Sequence, residues 1–215
     1  MEMRKISVRV GDKLMGSFQA QLDALHVKRD AYLDHIISGE VVYLRAELAG
    51  KKLSRKGRRY IARDVMRTGK LFNLTIRKTT ADALDSVVEE SNMVRDAFLN
   101  RLIVMLRCGE TLRSIWNVPR TMDGPVFRGT QGMPVSPLEA MEELRADPLY
   151  YLRTFMKEHH NEGLYTTAGL PPAFCCYLDD LAIPGTTAHI ELMTDLLSPD
   201  EYEKKYLAPI HQSAP

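Results

Sequence analysis

The chain has 215 residues, of which 45% are apolar, so it is long enough for one large domain or two small domains with real cores. No apolar run approaches the roughly 18 residues that cross a membrane. The chain starts with alternating polar and apolar residues rather than with the apolar segment of a secretory signal. Three cysteines without framework spacing favour a reducing compartment, and we expect a cytoplasmic protein.

The net charge of +1 conceals an uneven distribution. Residues 1–120 carry 23 Lys and Arg against 14 Asp and Glu, a net charge of +9, whereas residues 121–215 carry 6 against 14, a net charge of −8. A basic first half is typical of proteins that bind a polyanion, and the acidic second half indicates a separate role. A charged but merely solvated surface is the alternative explanation.

Residues 1–39 have the pattern of a strand followed by two helices. Residues 4–10 alternate between apolar and polar side chains, which predicts a β-strand. From Leu14 the apolar spacing becomes helical. A break near His26 separates this helix from a second one, which we expect to end at Gly39.

The same pattern returns 66 residues later without a gap. Residues 71–77 alternate again, a helix follows that Thr79 or Thr80 can cap, and a further helical segment runs from Val94 to Arg107. The stretches 28–37 and 94–103 are identical at five of ten positions. A fixed offset over separated stretches indicates one structural unit used twice, the second time over residues 71–109.

One such unit cannot bury a strand face and two helix stripes alone. Two copies can, if their strands pair antiparallel and their four helices share one core. The sequence leaves open whether the two units pair within one chain or whether each unit pairs with another chain.

Residues 40–70 are the most basic part of the chain and are expected to form a helical connector. Six of the nine residues from 51 to 59 are cationic. We call them the basic run: Lys51, Lys52, Arg55, Lys56, Arg58 and Arg59. The run either follows a phosphate backbone or is a soluble connector.

Residues 110–215 form a third, acidic region. Its segment 118–136 is rich in Pro and Gly and reads as an irregular linker. Helices are predicted over 137–146, 148–159 and 198–206, and we expect the tail from residue 211 to fray.

The repeated unit resembles the ribbon-helix-helix family of Arc/MetJ-type DNA-binding domains. The resemblance lies in the strand residues 72–76 and in the two helix starts at 27–33 and 93–99, and its two units cover about a third of the chain. It implies a mainly α fold with a small antiparallel β ribbon. Two tandem ribbon-helix-helix units would precede an irregular, mostly helical C-terminal region. In that family the ribbon enters the major groove of double-stranded DNA.

The resemblance also assigns residues. The residues that read bases would be Lys5, Ser7, Arg9, Asn73 and Thr75. The residues that hold phosphates would be Lys28, Arg29 and Arg95 at the second helices, together with the basic run. Alternatively, the alternating strands only build a core and their polar residues are solvated.

Three departures from the family bear on these assignments. Lys28 and Val94 stand where a Ser, Thr or Asn cap is common. Asp30 and Asp96 suit the helix dipole but would repel a nearby phosphate. Leu71 occupies a position where a polar base-reading residue is expected, so the second strand would read less DNA than the first.

Other chemistry has little support in the sequence. No P-loop, GxSxG, HExxH or GxGxxG motif occurs, and the pair Cys175-Cys176 near Asp179-Asp180 lacks the CxxC spacing of metal sites. We expect no enzyme, no cofactor and no metal.

The sequence therefore predicts a sequence-specific DNA-binding protein, a transcriptional regulator of its own operon or of a mobile element. Two alternatives stay open: a relaxosome-type accessory DNA-binding protein, and an antitoxin-like interaction protein with a toxin-binding C-terminal region. Region 110–215 would bind a protein partner or mediate homo-oligomers, and no membrane partner is expected.

Overall fold

Two strand–helix–helix units and a helical connector form the first half of the protein. The structure is a computed structural model that describes residues 2–120, 141–142, 145–194 and 197–211. The first unit contains β1 (Met3–Gly11), α1 (Asp12–Ala24) and α2 (Arg29–Glu47). The connector helix is α3 (Arg55–Thr68), and the second unit contains β2 (Gly69–Arg77), α4 (Lys78–Ser91) and α5 (Arg95–Arg107).

The two strands pair with each other in an antiparallel ribbon. Met3 lies opposite Arg77 at one end and Gly11 opposite Gly69 at the other. The pairing is therefore intramolecular, which decides between the two arrangements that the sequence left open. At the second end α3 enters β2 directly, and a Cβ at residue 69 would lie 2.8 Å from the Val65 carbonyl oxygen, so glycine permits this junction.

The register reveals the internal symmetry of the ribbon. Ser7 and Asn73 lie opposite each other and are also equivalent positions of the repeat, 66 residues apart. The two copies are thus related by a pseudo-twofold axis between these two residues. Lys5 is equivalent to Leu71, and Arg9 is equivalent to Thr75.

The even-numbered residues in the middle of the strands face the helices, and five of them are buried. They join apolar residues of α1, α2, α4 and α5 in one core: Ile6, Val8, Val10, Leu74 and Ile76 from the strands, and Leu22, Ile37, Leu84 and Leu99 among those from the helices. No helix of the described part of the chain is both long and apolar enough to cross a membrane.

The end of α2 differs from the sequence prediction. The helix passes Gly39 and continues to Glu47, because Leu44 remains fully buried in the core. Glu47 also accepts hydrogen bonds from the backbone amides of Leu164 (3.0 Å) and Tyr165 (2.7 Å). The second half of α2 therefore lies in residues 40–70, the segment that the sequence pattern predicts to be a separate connector.

The start of α4 also differs. The helix begins at Lys78, so Thr79 and Thr80 lie inside its first turn instead of capping it. The strand runs directly into the helix, and the first helical amide, that of Lys78, is bonded to the Glu2 carbonyl (3.0 Å) of the neighbouring strand end and not to a capping side chain.

The acidic region contains several short helices. They are α6 (Glu110–Trp116), α7 (Tyr150–His160), 3₁₀ turns at Pro172–Phe174 and Asp180–Ala182, α8 (Thr187–Thr194), and a last helix that starts at Pro199 and includes a π-helical turn at Glu203–Leu207. The sequence predicts a helix that begins at Ser198, and Ser198 and Glu201 form a capping box at its start. Most of the predicted linker 118–136 and the tail 212–215 lie outside the described residues. So does the predicted helix 137–146, apart from residues 141–142 and 145–146, which are helical.

Arg101 of α5 attaches the acidic region to the second unit. Its side chain is buried, and its guanidinium donates to the carbonyls of Leu164 (2.5 Å), Thr167 (2.8 Å) and Phe174 (3.2 Å). The same guanidinium lies over the ring of Trp116, 5.3 Å from its centroid. The acidic region therefore belongs to the same packed body as the repeat.

A second buried polar group joins α2 to the acidic region. Arg153 pairs with Glu40 (2.7 Å), and the Tyr165 hydroxyl donates to the other carboxylate oxygen of Glu40 (2.5 Å). Burial raises the pKa of Glu40, while Arg153 and the hydrogen bonds act in the opposite direction. Asp147, 3.5 Å from Arg153, completes the group.

Candidate nucleic-acid interface

The ribbon has an outward face formed by its odd-numbered residues. The five residues predicted to read bases all lie on it: Lys5, Ser7, Arg9, Asn73 and Thr75. Lys5, Ser7 and Asn73 are exposed, and Arg9 and Thr75 are half-buried. Because successive strand residues point to opposite faces, alternation with the buried core residues of the strands puts all five on the face away from the helices.

The centre of this face is a hydrogen-bonded pair. Ser7 Oγ donates to Asn73 Oδ1 across the pseudo-twofold axis (3.1 Å). Directly opposite residues of an antiparallel pair come close enough for such a contact. The bond occupies the Ser7 proton, and no hydrogen bond within the described part of the chain uses the Asn73 Nδ2 donors.

The two sides of the centre differ chemically. On one side Lys5 faces Thr75, and on the other Arg9 faces Leu71. Leu71 is 59% exposed, so the outward face carries an apolar group beside a cationic one. The Arg9 guanidinium lies near the Gly69 carbonyl (3.4 Å), which holds this side chain along the ribbon.

The second helix of each unit holds the strand of the other unit. Arg95 Nη2 donates to the Ser7 carbonyl (2.9 Å), and Arg29 Nη2 donates to the Asn73 carbonyl (2.9 Å). Because these positions are equivalent in the repeat, the same bond is made twice. The structure thus places two of the three helix residues predicted to hold phosphates, Arg29 and Arg95, on strand carbonyls.

The acids shared by the two copies, Asp30 and Asp96, both accept hydrogen bonds from strand amides. Asp30 Oδ2 accepts from the Thr75 amide (2.9 Å), and Asp96 accepts from the equivalent Arg9 amide. Burial raises the pKa of Asp96, and the Arg9 amide acts against that rise. The two carboxylates therefore bind strand amides, which accounts for acids at positions where a phosphate was expected nearby.

A third pair completes this arrangement, which we call the cross-clamp (Arg29, Asp30 and Asp34 in one copy, and Arg95, Asp96 and Asn100 in the other). Asp34 accepts from the Arg77 amide (2.9 Å), and Asn100 accepts from the equivalent Gly11 amide (3.2 Å). The cross-clamp gives hydrogen-bond partners to backbone groups on the outer edge of each strand. In a two-stranded ribbon this edge has no neighbouring strand to pair with. These hydrogen bonds fix the position of both strands, and so of the outward face, relative to α2 and α5.

Both second helices begin without a capping side chain. The residues before their first turns are Lys28 for α2 and Val94 for α5. Lys28 is exposed and borders an open depression between the end of α1 and the start of α2, which also contains His26. The amides of an uncapped first turn are suited to an anion.

The basic run lies beside the turn that precedes α5. Leu53 donates through its amide to the Ser91 carbonyl (2.9 Å) and accepts from Asn92 Nδ2 (2.8 Å), and Arg58 donates to Asn92 Oδ1 (2.8 Å). The start of the connector helix α3 is thereby fixed next to the start of the second helix of unit two.

The cations of the basic run are all exposed but differ in their contacts. Lys56 donates to the Gly185 carbonyl (3.1 Å), and Lys51 lies 5.9 Å from the centroid of the Tyr177 ring. No hydrogen bond or ion pair described for this structure involves Lys52, Arg55 or Arg59. A polyanion can therefore bind these three cations without breaking a hydrogen bond or ion pair within the protein.

Two further cations extend the run and were missed in the sequence. Arg63 and Arg67 follow Arg55 and Arg59 at intervals of four residues, so the four arginines form a stripe along α3 toward the ribbon. The four-residue interval is visible in the sequence and would have identified them.

The remaining candidates from the sequence do not form a metal site in the described part of the chain. No three potential ligand side chains there are placed to hold a metal ion. Cys175 and Cys176 are buried thiols, and burial raises the pKa of Cys176 to about 12. Asp180 instead accepts from the Ser54 hydroxyl (2.6 Å).

Comparison of this chain with models of protein families, with curated proteins and with solved structures finds no match in any of the three.

Proposed function

We propose that this chain is a sequence-specific DNA-binding protein of the ribbon-helix-helix type and that it acts as a transcriptional regulator. The observation that carries the proposal is the outward face of the ribbon. Five polar side chains of types that contact base edges lie on one side of a two-stranded ribbon, around the Ser7–Asn73 pair. The major groove, about 12 Å wide, admits a ribbon of this kind.

Each outward residue suits a different part of a base pair. Arg9 and Lys5 fit the O6 and N7 acceptors of guanine, and Asn73 fits the N6 and N7 edge of adenine. Leu71, which replaces a polar residue here, suits the methyl group of thymine. The mixture of these groups favours sequence-specific contact over uniform attraction to phosphates.

The pseudo-twofold axis determines the symmetry of the expected target. Because Lys5 is equivalent to Leu71 and Arg9 to Thr75, the two halves of one ribbon present different groups. One chain would therefore bind a non-palindromic site as a complete unit, without a second copy.

The phosphate contacts are expected along the two outer edges of the ribbon, on either side of its central Ser7–Asn73 pair. The uncapped start of α2 with Lys28 and the uncapped start of α5 beside the basic run flank the outward face. Arg29 and Arg95 would act indirectly, since their bonds to the Asn73 and Ser7 carbonyls set the position of the ribbon relative to these helix starts.

Site selection from a randomised duplex pool tests the proposal directly. We expect a non-palindromic consensus for the wild-type protein. In competition gel shifts, Arg9→Ala and Asn73→Ala are each expected to lose about 1–3 kcal/mol of discrimination at one position of that consensus. Lys157→Ala, which removes an exposed charge on α7, serves as the matched control. A palindromic consensus, or unchanged base preference in both ribbon variants, would contradict the proposal.

The contribution of the basic run is measured separately through salt dependence. Each phosphate contact contributes about 0.9 to the slope of log K against log salt concentration. The double variant Arg55→Gln, Arg59→Gln is expected to reduce that slope by about 1.8 and to weaken all sequences alike. An unchanged salt dependence would mean that the basic run does not contact phosphates and only keeps the connector soluble.

A further inference from the structure

A cleft lies between the second half of α3 and the end of the acidic region. One wall consists of Tyr60, Arg63 and Arg67 of α3. The opposite wall consists of Lys205, Tyr206 and prolines from three separate segments. Its volume is about 320 Å³, which is at the small end of the range of ligand sites.

The cleft is positively charged. It is lined by three cations and one acid, Asp64, whose carboxylate is already bonded to Arg67 (2.6 Å) and to the Ala173 amide (2.9 Å). The acidic region contributes Lys205 and no carboxylate to the lining, although that region carries a net charge of −8. The local charge is therefore opposite to that of the surrounding sequence, and the cleft favours an anion.

The remaining lining is flat and apolar. Tyr60 and Tyr206 contribute aromatic rings to the lining, with the Arg63 guanidinium 5.6 Å from the Tyr60 centroid and the Lys205 amine 5.3 Å from the Tyr206 centroid. Prolines have no N–H group, so the prolines of the lining offer a ligand surface without backbone donors. Directional contacts must come from the arginines, the lysine and the tyrosine hydroxyls.

We propose that this cleft binds a mononucleotide. Its phosphate would meet Arg63, Arg67 and Lys205, because guanidinium and ammonium groups form strong charge-assisted bonds to phosphate. Its base would stack on Tyr60 or Tyr206, because every base has a flat aromatic face that can lie on a tyrosine ring. A ligand with both an anionic and a flat apolar part uses the whole lining, whereas a bare anion leaves the rings unused.

The position of the cleft links it to the ribbon. Arg67 lies two residues before Gly69, and α3 continues into β2 at this point. A Cβ at residue 69 would lie 3.1 Å from the Arg9 Cβ, so a ligand that shifts the end of α3 also shifts a base-reading residue. The nucleotide would therefore change DNA affinity, and this consequence, unlike the binding itself, rests on the proposed DNA-binding function.

Fluorescence anisotropy of ribose-labelled (methylanthraniloyl) adenosine, guanosine and uridine monophosphates with the full chain tests the binding without DNA. We expect saturable binding of at least one of the three that the unlabelled nucleotide reverses. Lys205→Gln should weaken it about tenfold, the loss of one charge-assisted bond, and Tyr60→Leu by a similar factor. Lys204→Gln removes the adjacent lysine, which lies outside the lining, and should leave binding unchanged. Thermal unfolding followed by circular dichroism verifies that each variant is folded.

Four results would overturn the proposal. They are no binding of any of the three probes, equal losses in Lys204→Gln and Lys205→Gln, unaltered affinity in folded Tyr60→Leu, and displacement by inorganic phosphate as effective as by the nucleotide. Gel shifts with and without the bound nucleotide then test the link to DNA. A wild-type DNA affinity that the nucleotide does not change would remove the regulatory consequence and leave the binding site intact.

Discussion

Removal of the Asp34 carboxylate is expected to loosen one end of the ribbon and to spare the other. This side chain is 11% exposed and accepts two hydrogen bonds from Arg77, one from its amide (2.9 Å) and one from its Nε (2.6 Å). Hydrogen bonds to a charged group contribute about 1.5–3 kcal/mol each, and the exposed fraction of Arg77, 29%, reduces the second one. Asp34→Ala should therefore cost about 2–4 kcal/mol of unfolding free energy.

The other copy of the repeat supplies the control. Asn100, which is equivalent to Asp34, accepts from the Gly11 amide (3.2 Å) and donates to the Arg9 carbonyl (3.0 Å). Asparagine thus performs the same task without a charge, and Asp34→Asn should cost about 1 kcal/mol or less. Urea unfolding measures both values. Amide hydrogen exchange should speed up at Arg77 and not at Gly11.

Two results would refute this reasoning. Equal destabilisation by alanine and asparagine would mean that the charge of Asp34, not its bond to the strand amide, stabilises the protein. Exchange that is unchanged at Arg77 in the alanine variant would mean that the cross-clamp does not hold the strand end.

Three further predictions concern the acidic region and its attachment. Arg101→Met leaves three carbonyls without their donor and should cost about 3–5 kcal/mol in urea unfolding, and a wild-type midpoint would contradict this. Because burial raises the pKa of Glu40 above 4.5, the folded state binds its proton more tightly than the unfolded state does. The stability of the wild type relative to Glu40→Gln should then fall as the pH rises from about 4.5 through the raised pKa, and an opposite slope in pH-dependent urea titrations would contradict it. Iodoacetamide at about pH 8 should modify half-exposed Cys108 in the folded protein, but Cys175 and Cys176 only after unfolding, as mass spectrometry can verify.

Several structural features could be predicted because they depend on local patterns. The alternation of residues 4–10 and 71–77 predicts both strands, and the break near His26 separates α1 from α2 correctly. The start of the last helix at Ser198 was predicted from the local sequence as well. Each of these features is decided by residues within a few positions of one another.

Other features escaped prediction because distant contacts decide them. Gly39 is a plausible helix end, yet α2 continues because Glu47 binds amides 117 and 118 residues away. A Cβ at Gly163 would overlap the Glu47 side chain, so this glycine admits the carboxylate, a role invisible in the sequence. From the sequence, Arg101 is an ordinary polar residue on a helix. It is buried and attaches the acidic region only because that region packs against it.

The candidate interface shows the same division. The polar types and the odd-numbered positions of Lys5, Ser7, Arg9, Asn73 and Thr75 follow from alternation, and their common face was predictable. The assignment of Arg29 and Arg95 to phosphates came from the resemblance alone. Their bonds to strand carbonyls depend on how each helix crosses the opposite unit, which no local pattern encodes.

The sequence by itself determined that one unit is used twice at an offset of 66 residues and which strand faces are polar, because repetition and alternation are properties of the chain alone. Only the tertiary structure decided that the two strands pair within one chain and that the acidic region packs on the repeat. The strands pair because α3 places β2 next to β1. The acidic region packs on the repeat because side chains such as Arg101 bind backbone groups more than sixty residues away. These contacts join residues that are far apart in the sequence, so they stabilise the protein only when the chain is folded.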